Sequence, residues 1–183
     1  FGPRADGPLH RFNADVVGHL GWITGELADN SLTHAKGPCY VLIGQFNGNN
    51  SYLELAIGDT GKGIHGSLKE NPKYKALPDQ EAFLKAFQPK VSCWSDDKER
   101  GKGLCDLLIV AIGNGALLRV DSKEMGLMFN FTNGQREVMK RTPASKYGGA
   151  RFCLLLIKDQ FLDITREEVD SFIERERGGL CKI

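Results

Sequence analysis

A predicted helix near the start of the chain carries a carboxylate and an amide at a spacing that suits phosphate chemistry. Glu26, Asn30 and Thr33 lie at i, i+4 and i+7, so a helix through residues 15–35 presents all three on one face, beside its apolar stripe. The oxygens of Glu26 and Asn30 could position Mg²⁺ and a water, with the carboxylate as general base. The alternative is a solvated polar helix face without chemistry.

An aspartate turn with two glycines follows an apolar run. Residues 53–57 lead into Gly58-Asp59-Thr60-Gly61-Lys62-Gly63. An aspartate fixed at a strand end could accept a hydrogen bond from an exocyclic amine such as that of adenine, and Gly61 and Gly63 would let the backbone approach a ligand closely. The alternative is an ordinary Asp-Gly turn, which the second glycine and the long polar segment that follows both disfavour.

A third glycine-rich segment, Gly101-Lys102-Gly103-Leu104, precedes an apolar helix. Backbone N–H groups and the dipole at a helix N-terminus favour phosphate, and Lys98, Arg100 and Lys102 add positive charge. The pattern is neither GxxxxGK[ST] nor GxGxxG after a strand, so P-loop and Rossmann sites are excluded. A glycine-rich helix entry without a ligand is the alternative.

Hydrophobic periodicity and turn signals predict the elements that position these segments. Helices are predicted at residues 15–35, 79–87, 103–112 and 165–177, and strands at residues 39–46, 51–58, 116–122, 127–132, 135–141 and 151–157. This order predicts an α+β two-layer sandwich, with a mixed, mainly antiparallel sheet packed on helices. We expect a flexible lead-in at residues 1–12, one domain at 13–157 with a lid at 62–104, and a helical tail at 158–183.

Composition and residue spacing argue against several classes of function, namely binding of nucleic acid, membrane or zinc. The 183 residues are 41% hydrophobic and 26% charged, with a formal net charge of +1, so neither nucleic acid nor an anionic membrane is indicated as a partner. No apolar run reaches the roughly 18 residues that span a bilayer. The 5 cysteines show no CxxC spacing and the 4 histidines no HExxH spacing, so no zinc site is predicted. Reduced cysteines suit a cytoplasmic protein.

With the three segments in this order, residues 13–157 resemble the GHKL superfamily of gyrase B, heat-shock-90 chaperones, histidine kinases and MutL. The ATP-binding fold of that family is called the Bergerat fold. Glu26-Leu27-Ala28-Asp29-Asn30 is similar to its N-box, residues 58–64 (GDTGKGI) to its G1 box, and residues 101–104 (GKGL) to its G2 box.

The resemblance implies a role for each matching residue. Asn30 would coordinate Mg²⁺, Glu26 would be the general base, and Asp59 would read adenine. The remaining matches are implied to contact ATP and its phosphates beneath the lid: Gly61, Gly63, Ile64, Lys98, Gly101, Lys102, Gly103 and Leu104. One departure is Ala150, which stands where many members place a threonine that supports the adenine contact; we expect Thr60 to supply that hydroxyl instead.

The resemblance implies Mg²⁺-dependent ATP binding, with slow hydrolysis or kinase-like phosphoryl transfer in a signalling or regulatory system. The alternative is a non-catalytic module in which ATP gates a protein interaction. In both cases the expected partner is a protein: a phosphoacceptor, a STAS-like domain or an effector domain, and homodimerisation stays open. None of the histidines fits a phosphoacceptor pattern, which favours a stand-alone or excised ATP-binding module.

Overall fold

The computed structural model describes residues 21, 24–25, 27–29, 32–33, 40–47, 52–88, 90–93, 103–144 and 148–157. Its strands are β1 (Tyr40–Asn47), β2 (Tyr52–Asp59), β3 (Leu117–Ser122), β4 (Met125–Asn130), β5 (Glu137–Arg141) and β6 (Ala150–Ile157). Its helices are α1 (Ile64–Leu68), α2 (Asp79–Lys85) and α3 (Gly103–Asn114), with a 3₁₀ turn at Thr132–Gly134. The described residues therefore form an α+β fold, as the sequence predicts.

The described strands form one six-stranded sheet in the order β1-β2-β6-β3-β4-β5. All of its pairings are antiparallel, so the expectation of a mixed sheet is wrong for these strands. The reason is the place of β6, which is the last of the described strands in sequence and lies between β2 and β3. Those two strands run parallel to each other, and the inserted strand turns one parallel contact into two antiparallel ones.

Two hairpins follow local turn chemistry. β1 and β2 pair from Tyr40 opposite Asp59 to Asn47 opposite Tyr52, so the predicted hairpin is confirmed with each strand shifted by one residue. β3 and β4 are joined by a two-residue turn in which Lys123 adopts a positive φ of 54°. This turn is tighter than the sequence predicts, and β4 accordingly begins two residues earlier.

The sheet has a helix face and an outer face. Along β6, burial alternates with a period of two, which places Phe152, Leu154 and Leu156 on the helix face. The core there continues into fully buried residues of α3, such as Leu107 and Leu108. α3 ends as predicted, with Gly115 in the left-handed region at a φ of 64°.

Part of the predicted lid belongs to this core. Within residues 62–93, α1 was not predicted, whereas α2 begins at the predicted Asp79. Leu68, Tyr74 and Phe83 are all at most 5% exposed, and the ring of Phe87 lies 5.0 Å from that of Phe129 on β4. Residues 94–102 lie outside the described residues, so a closing lid stays a prediction.

The helix predicted at residues 15–35, which precedes the labelled elements and is called the first helix below, is described at scattered positions. Residues 21, 24–25, 27–29 and 32–33 are helical, in agreement with the predicted helix at 15–35. Leu27 is 3% exposed, whereas Leu32, which shares the helical spacing of the apolar residues in this segment, is 62% exposed. The lead-in at 1–12 and the tail at 158–183 lie outside the described residues. No helix in the described part of the chain is long and apolar enough to cross a membrane.

Candidate functional site

Asp59 is a buried carboxylate at the end of β2. It is 7% exposed, and its Oδ1 accepts hydrogen bonds from the backbone N–H of Gly61 at 2.8 Å and of Ala150 at 3.2 Å. The first bond closes a turn that aspartate forms readily with its own backbone. The second comes from the start of β6, so two separate segments of backbone fix the orientation of this side chain.

Gly149 lies directly against this carboxylate. A Cβ atom at residue 149 would sit 2.5 Å from Gly61 N and even closer to both the backbone oxygen and Oδ1 of Asp59. Its neighbour differs, since a Cβ on Gly148 would meet only Thr60 O, at an ordinary 3.7 Å. Glycine is therefore required at residue 149 for close approach.

The far end of the aspartate turn is held by Ser122, the last residue of β3. Gly63 has a φ of 76°, and a Cβ on it would lie 2.7 Å from Ser122 Oγ. The fully buried Ser122 hydroxyl accepts the N–H of Ile64 at 2.9 Å and lies 3.2 Å from His65 Nδ1. The turn from Asp59 to Gly63 is thus fixed at one end by β6 and at the other by β3.

His65 lies behind the turn, 6% exposed. Burial lowers the pKa of His65; Lys123 and Lys69 act in the same direction and Asp79 opposes them. The Nε2 of His65 is 4.0 Å from Asp79 Oδ2, and Lys69 Nζ is 2.6 Å from Asp79 Oδ1. A lowered pKa keeps His65 neutral at neutral pH, where it shares a hydrogen bond with Ser122.

Several predicted site residues lie together in the structure. Asp59, Gly61, Gly63 and Ile64 form one continuous turn, and Gly103 and Leu104 begin α3 as the sequence predicts. Asp29, on the first helix, is exposed. The other predicted site residues lie outside the described residues, and their roles stay predictions: Glu26, Asn30, Lys98, Gly101 and Lys102.

Asn30, the residue expected to hold Mg²⁺, lies outside the described residues. The described part of the chain contains no group of three or more His, Cys, Asp or Glu that could hold a metal ion. The fit of adenine rests on Asp59, whose carboxylate is anchored and accepts hydrogen bonds only, as an amine partner requires.

Ala150 contributes to the site through its backbone. It is 4% exposed and donates its N–H to Asp59, so a side-chain hydroxyl is not needed for this contact. Thr60, expected to supply a replacement hydroxyl, is exposed. The contact that orients Asp59 from β6 is therefore made by the main chain.

Three residues that hold the candidate site were not predicted from the sequence: Gly149, Ser122 and His65. Each acts through contacts with distant parts of the chain, as the Ser122–Ile64 bond shows across 58 residues. Only the Gly148-Gly149 pair before the last strand carried a signal, because paired glycines before a strand indicate either a turn or a close backbone approach.

Comparison with known proteins yields no family assignment. No protein-family model matches the sequence, and no curated protein matches it. Among solved structures, the chain is similar to the ATPase region of Saccharomyces cerevisiae topoisomerase II bound to ICRF-187 (dexrazoxane), at 11% identity and a TM-score of 0.42, covering 86% of this chain and 43% of that one.

A second similar structure is the N-terminal domain of a DNA repair protein, at 17% identity and a TM-score of 0.40, covering 94% of this chain and 47% of that one. The chain thus spans less than half the length of either structure. At these TM-scores neither likeness is evidence for a shared function.

Proposed function

We propose that this chain is an ATP-binding domain of the GHKL superfamily with a Bergerat-type fold, in which Asp59 recognises the adenine base. The observation that carries this proposal is the anchored, buried carboxylate of Asp59 at the end of β2, held by the N–H groups of Gly61 and Ala150. A carboxylate in a fixed orientation accepts hydrogen bonds and donates none. It therefore suits the exocyclic amine of adenine.

The same chemistry gives base selectivity. Guanine and hypoxanthine carry a carbonyl oxygen where adenine carries its amine, and that oxygen would face the Asp59 carboxylate with no proton between them. A site built around one donor–acceptor pair rejects a ligand that lacks the donor much more strongly than an apolar pocket rejects a change of size. We therefore expect ATP to bind in preference to GTP and ITP.

The glycines around Asp59 hold the turn that carries this carboxylate. The backbone of Gly149 packs against the Asp59 carboxylate, and Gly63 adopts a positive φ that places the chain against Ser122. These contacts fix the turn before a ligand arrives, and a preformed turn reduces the entropy lost on binding.

The proposed reaction is slow ATP hydrolysis or phosphoryl transfer in a signalling or regulatory system. In this proposal ATP supplies the phosphoryl group, and Asn30 would hold Mg²⁺, which would offset phosphate charge when bound. Glu26 orients the attacking water or hydroxyl, and Gly103 and Leu104 approach the phosphates from the start of α3. Phosphoryl transfer depends mainly on positioning and charge stabilisation, so these few groups suffice.

Calorimetric titration with MgATP, MgGTP and MgITP tests the proposal. The parent should bind MgATP, and Asp59→Asn should weaken this binding about tenfold or more, because a charge-assisted hydrogen bond becomes a neutral one. The matched control is Glu54→Gln, which makes the same kind of change at an exposed position of the same strand. Equal binding by Asp59→Asn and the parent, or no preference for ATP over ITP, contradicts the assignment.

Measuring phosphate release distinguishes a catalytic ATP-binding domain from a non-catalytic, ATP-gated interaction module. Phosphate release that disappears in Glu26→Gln while MgATP still binds supports catalysis by Glu26. MgATP binding without phosphate release, with and without a candidate partner protein, supports an ATP-gated interaction module instead.

A further inference from the structure

The outer face of the sheet carries a row of charged residues and glycines that the proposed ATP site does not use. The strand register places Gly58, Arg151, Asp121, Gly126 and Arg141 opposite one another across β2, β6, β3, β4 and β5. Three of these residues are sequence neighbours of candidate-site residues, since Gly58 precedes Asp59, Asp121 precedes Ser122 and Arg151 follows Ala150.

Three arginines converge on Asp121. Its Oδ2 accepts bonds from Arg151 (Nη2 at 2.5 Å, Nε at 3.2 Å) and from Arg119 (Nη2 at 3.0 Å, Nε at 3.1 Å). Its Oδ1 accepts a bond from Nη1 of Arg141. Asp121 is fully buried, whereas the side chains of Arg119, Arg141 and Arg151 are 36%, 23% and 30% exposed. The arginines thus cover the carboxylate and still reach solvent.

Gly126 makes this convergence possible. A Cβ on Gly126 would lie 2.6 Å from Arg141 Cγ and 2.8 Å from Asp121 Oδ1. The side chain of Arg141 therefore crosses β4 over a residue that has no side chain of its own. The contact between Arg141 on β5 and Asp121 on β3 thus depends on a glycine on β4, the strand between them.

The cluster has a surplus of positive charge. Burial raises the pKa of Asp121, but hydrogen bonds from Arg151 and Arg119 outweigh it, and the net direction is downward. Asp121 is thus ionised at neutral pH, and arginine is always charged. Arg119 and Arg141 share this one carboxylate with Arg151, so the cluster holds more guanidinium groups than Asp121 alone can neutralise. One arginine would suffice to pair a buried aspartate.

The adjacent row is apolar apart from Arg119. It contains Cys153, Arg119, Met128 and Met139, again in register across four strands. Met139 is 43% exposed. Apart from Asp121, the acidic residues on the described part of this face are Glu54 and Glu137, which lie one row further away, opposite Leu155 and Asn130. Arginine and methionine are each enriched in protein interfaces relative to the rest of the surface.

We propose that the arginine cluster on the outer face, formed by Arg119, Arg141 and Arg151 around Asp121, docks an acidic segment of a partner protein that carries both carboxylates and an apolar side chain. The carboxylates pair with the surplus guanidinium charge, and the apolar side chain contacts Met128 and Met139. Guanidinium groups already oriented by Asp121 lose little freedom on binding, which favours carboxylate recognition.

Fluorescence anisotropy with a labelled peptide, Glu-Glu-Leu-Glu-Glu-Leu-Glu-Glu, tests this without nucleotide, so the result does not depend on the ATP site. The parent should bind, with affinity falling as salt rises. Arg119→Gln should weaken binding about fivefold, an effect typical of one exposed ion pair. This variant is structurally mild, because Arg151 keeps its bonds to the same Asp121 oxygen.

Two further variants sharpen the test. Lys140→Gln, on the opposite face of the strand that carries Arg141, is the matched control and should bind like the parent. Asp121→Asn removes the internal carboxylate and should bind more tightly, the opposite of what loss of a structural ion pair alone would cause. If Asp121→Asn does not fold, as judged by circular dichroism, Arg119→Gln against Lys140→Gln decides.

Several results overturn the proposal. These are no binding by the parent, equal binding by Arg119→Gln and the parent, and tighter binding of an oligouridine RNA than of the peptide. Displacement of the peptide by inorganic phosphate at equal ionic strength also overturns it, since that result describes a small-anion site.

Discussion

Gly149 and Asp59 lie so close together that no side chain fits between them. The backbone of residue 149 packs on the backbone oxygen and the carboxylate of Asp59, while the next residue, Ala150, donates its N–H to the same carboxylate. The orientation of the proposed adenine-binding side chain therefore depends on a segment 90 residues later in the chain, which contributes no polar side chain to it.

Gly149→Ala should damage both the fold and the site. The added methyl collides with backbone and carboxylate atoms that cannot move aside, so we expect a loss of about 1–3 kcal/mol in the free energy of unfolding, as in other overpacked sites. MgATP affinity should fall as well, because Asp59 is displaced. Urea denaturation and calorimetry measure the two effects.

Gly148→Ala is the control for this prediction. A methyl group there meets only Thr60 O at 3.7 Å, an ordinary contact, so stability and MgATP affinity should match the parent. If both alanine variants behave alike, the close approach of Gly149 is not what orients Asp59.

Gly63 and Ser122 should be energetically coupled. Gly63→Ala introduces a contact of 2.7 Å with Ser122 Oγ and a positive φ that costs about 1–2 kcal/mol. Ser122→Ala removes that contact but leaves the buried N–H of Ile64 without its acceptor, at a cost of about 1–3 kcal/mol. The double variant should therefore lose less stability than the sum of the single ones, measured by urea denaturation. Additive losses would show that the collision is relieved elsewhere.

Local patterns predicted most of the elements. The β1–β2 hairpin, α2 and α3 follow from turn residues and hydrophobic periodicity within each segment, and each lies within a few residues of its prediction. Asp59, Gly61 and Gly63 were identified for the same reason, since a strand end followed by a two-glycine turn is a local signal.

Contacts between segments that are distant in the sequence could not be predicted from local patterns of residues. The place of β6 between β2 and β3 depends on pairing energies that no single segment encodes, and the expectation of a mixed sheet was wrong because of it. Leu32 is a second example. Helical spacing groups it with the apolar residues of its segment, but this spacing does not show whether the core extends far enough to cover it. Ser122 looks like any polar residue at a strand end until its bond to Ile64 is known.

Asn114 should hold the last strand against α3. Its side chain is 5% exposed; Nδ2 donates to the Ile157 carbonyl at 3.2 Å, and Oδ1 accepts the Ile157 N–H at 2.9 Å. Asn114→Ala removes both bonds, and at about 1 kcal/mol each we expect a loss of about 2 kcal/mol in unfolding free energy. Hydrogen exchange at the Ile157 amide should accelerate more than exchange at Leu155 on the same strand. Equal acceleration at both amides would indicate a global loss of stability rather than a local release of the strand end.

His65 should make the fold less stable in mild acid. Burial lowers its pKa in the folded state, with Lys123 and Lys69 adding to the shift and Asp79 opposing it, so the unfolded chain binds the proton more readily. The contribution of neutral His65 to the free energy of unfolding is fully present above the ordinary pKa of histidine. It is lost as the pH falls from there through the lowered pKa of the folded state. Urea denaturation between about pH 7.5 and pH 5 should show stability falling with pH; Asp121 and Asp79 do not interfere, because their lowered pKa values lie below this range. The slope should flatten in His65→Gln and steepen in Asp79→Asn, which removes the carboxylate that raises the pKa of His65. An unchanged slope in both variants would assign the pH dependence to other groups.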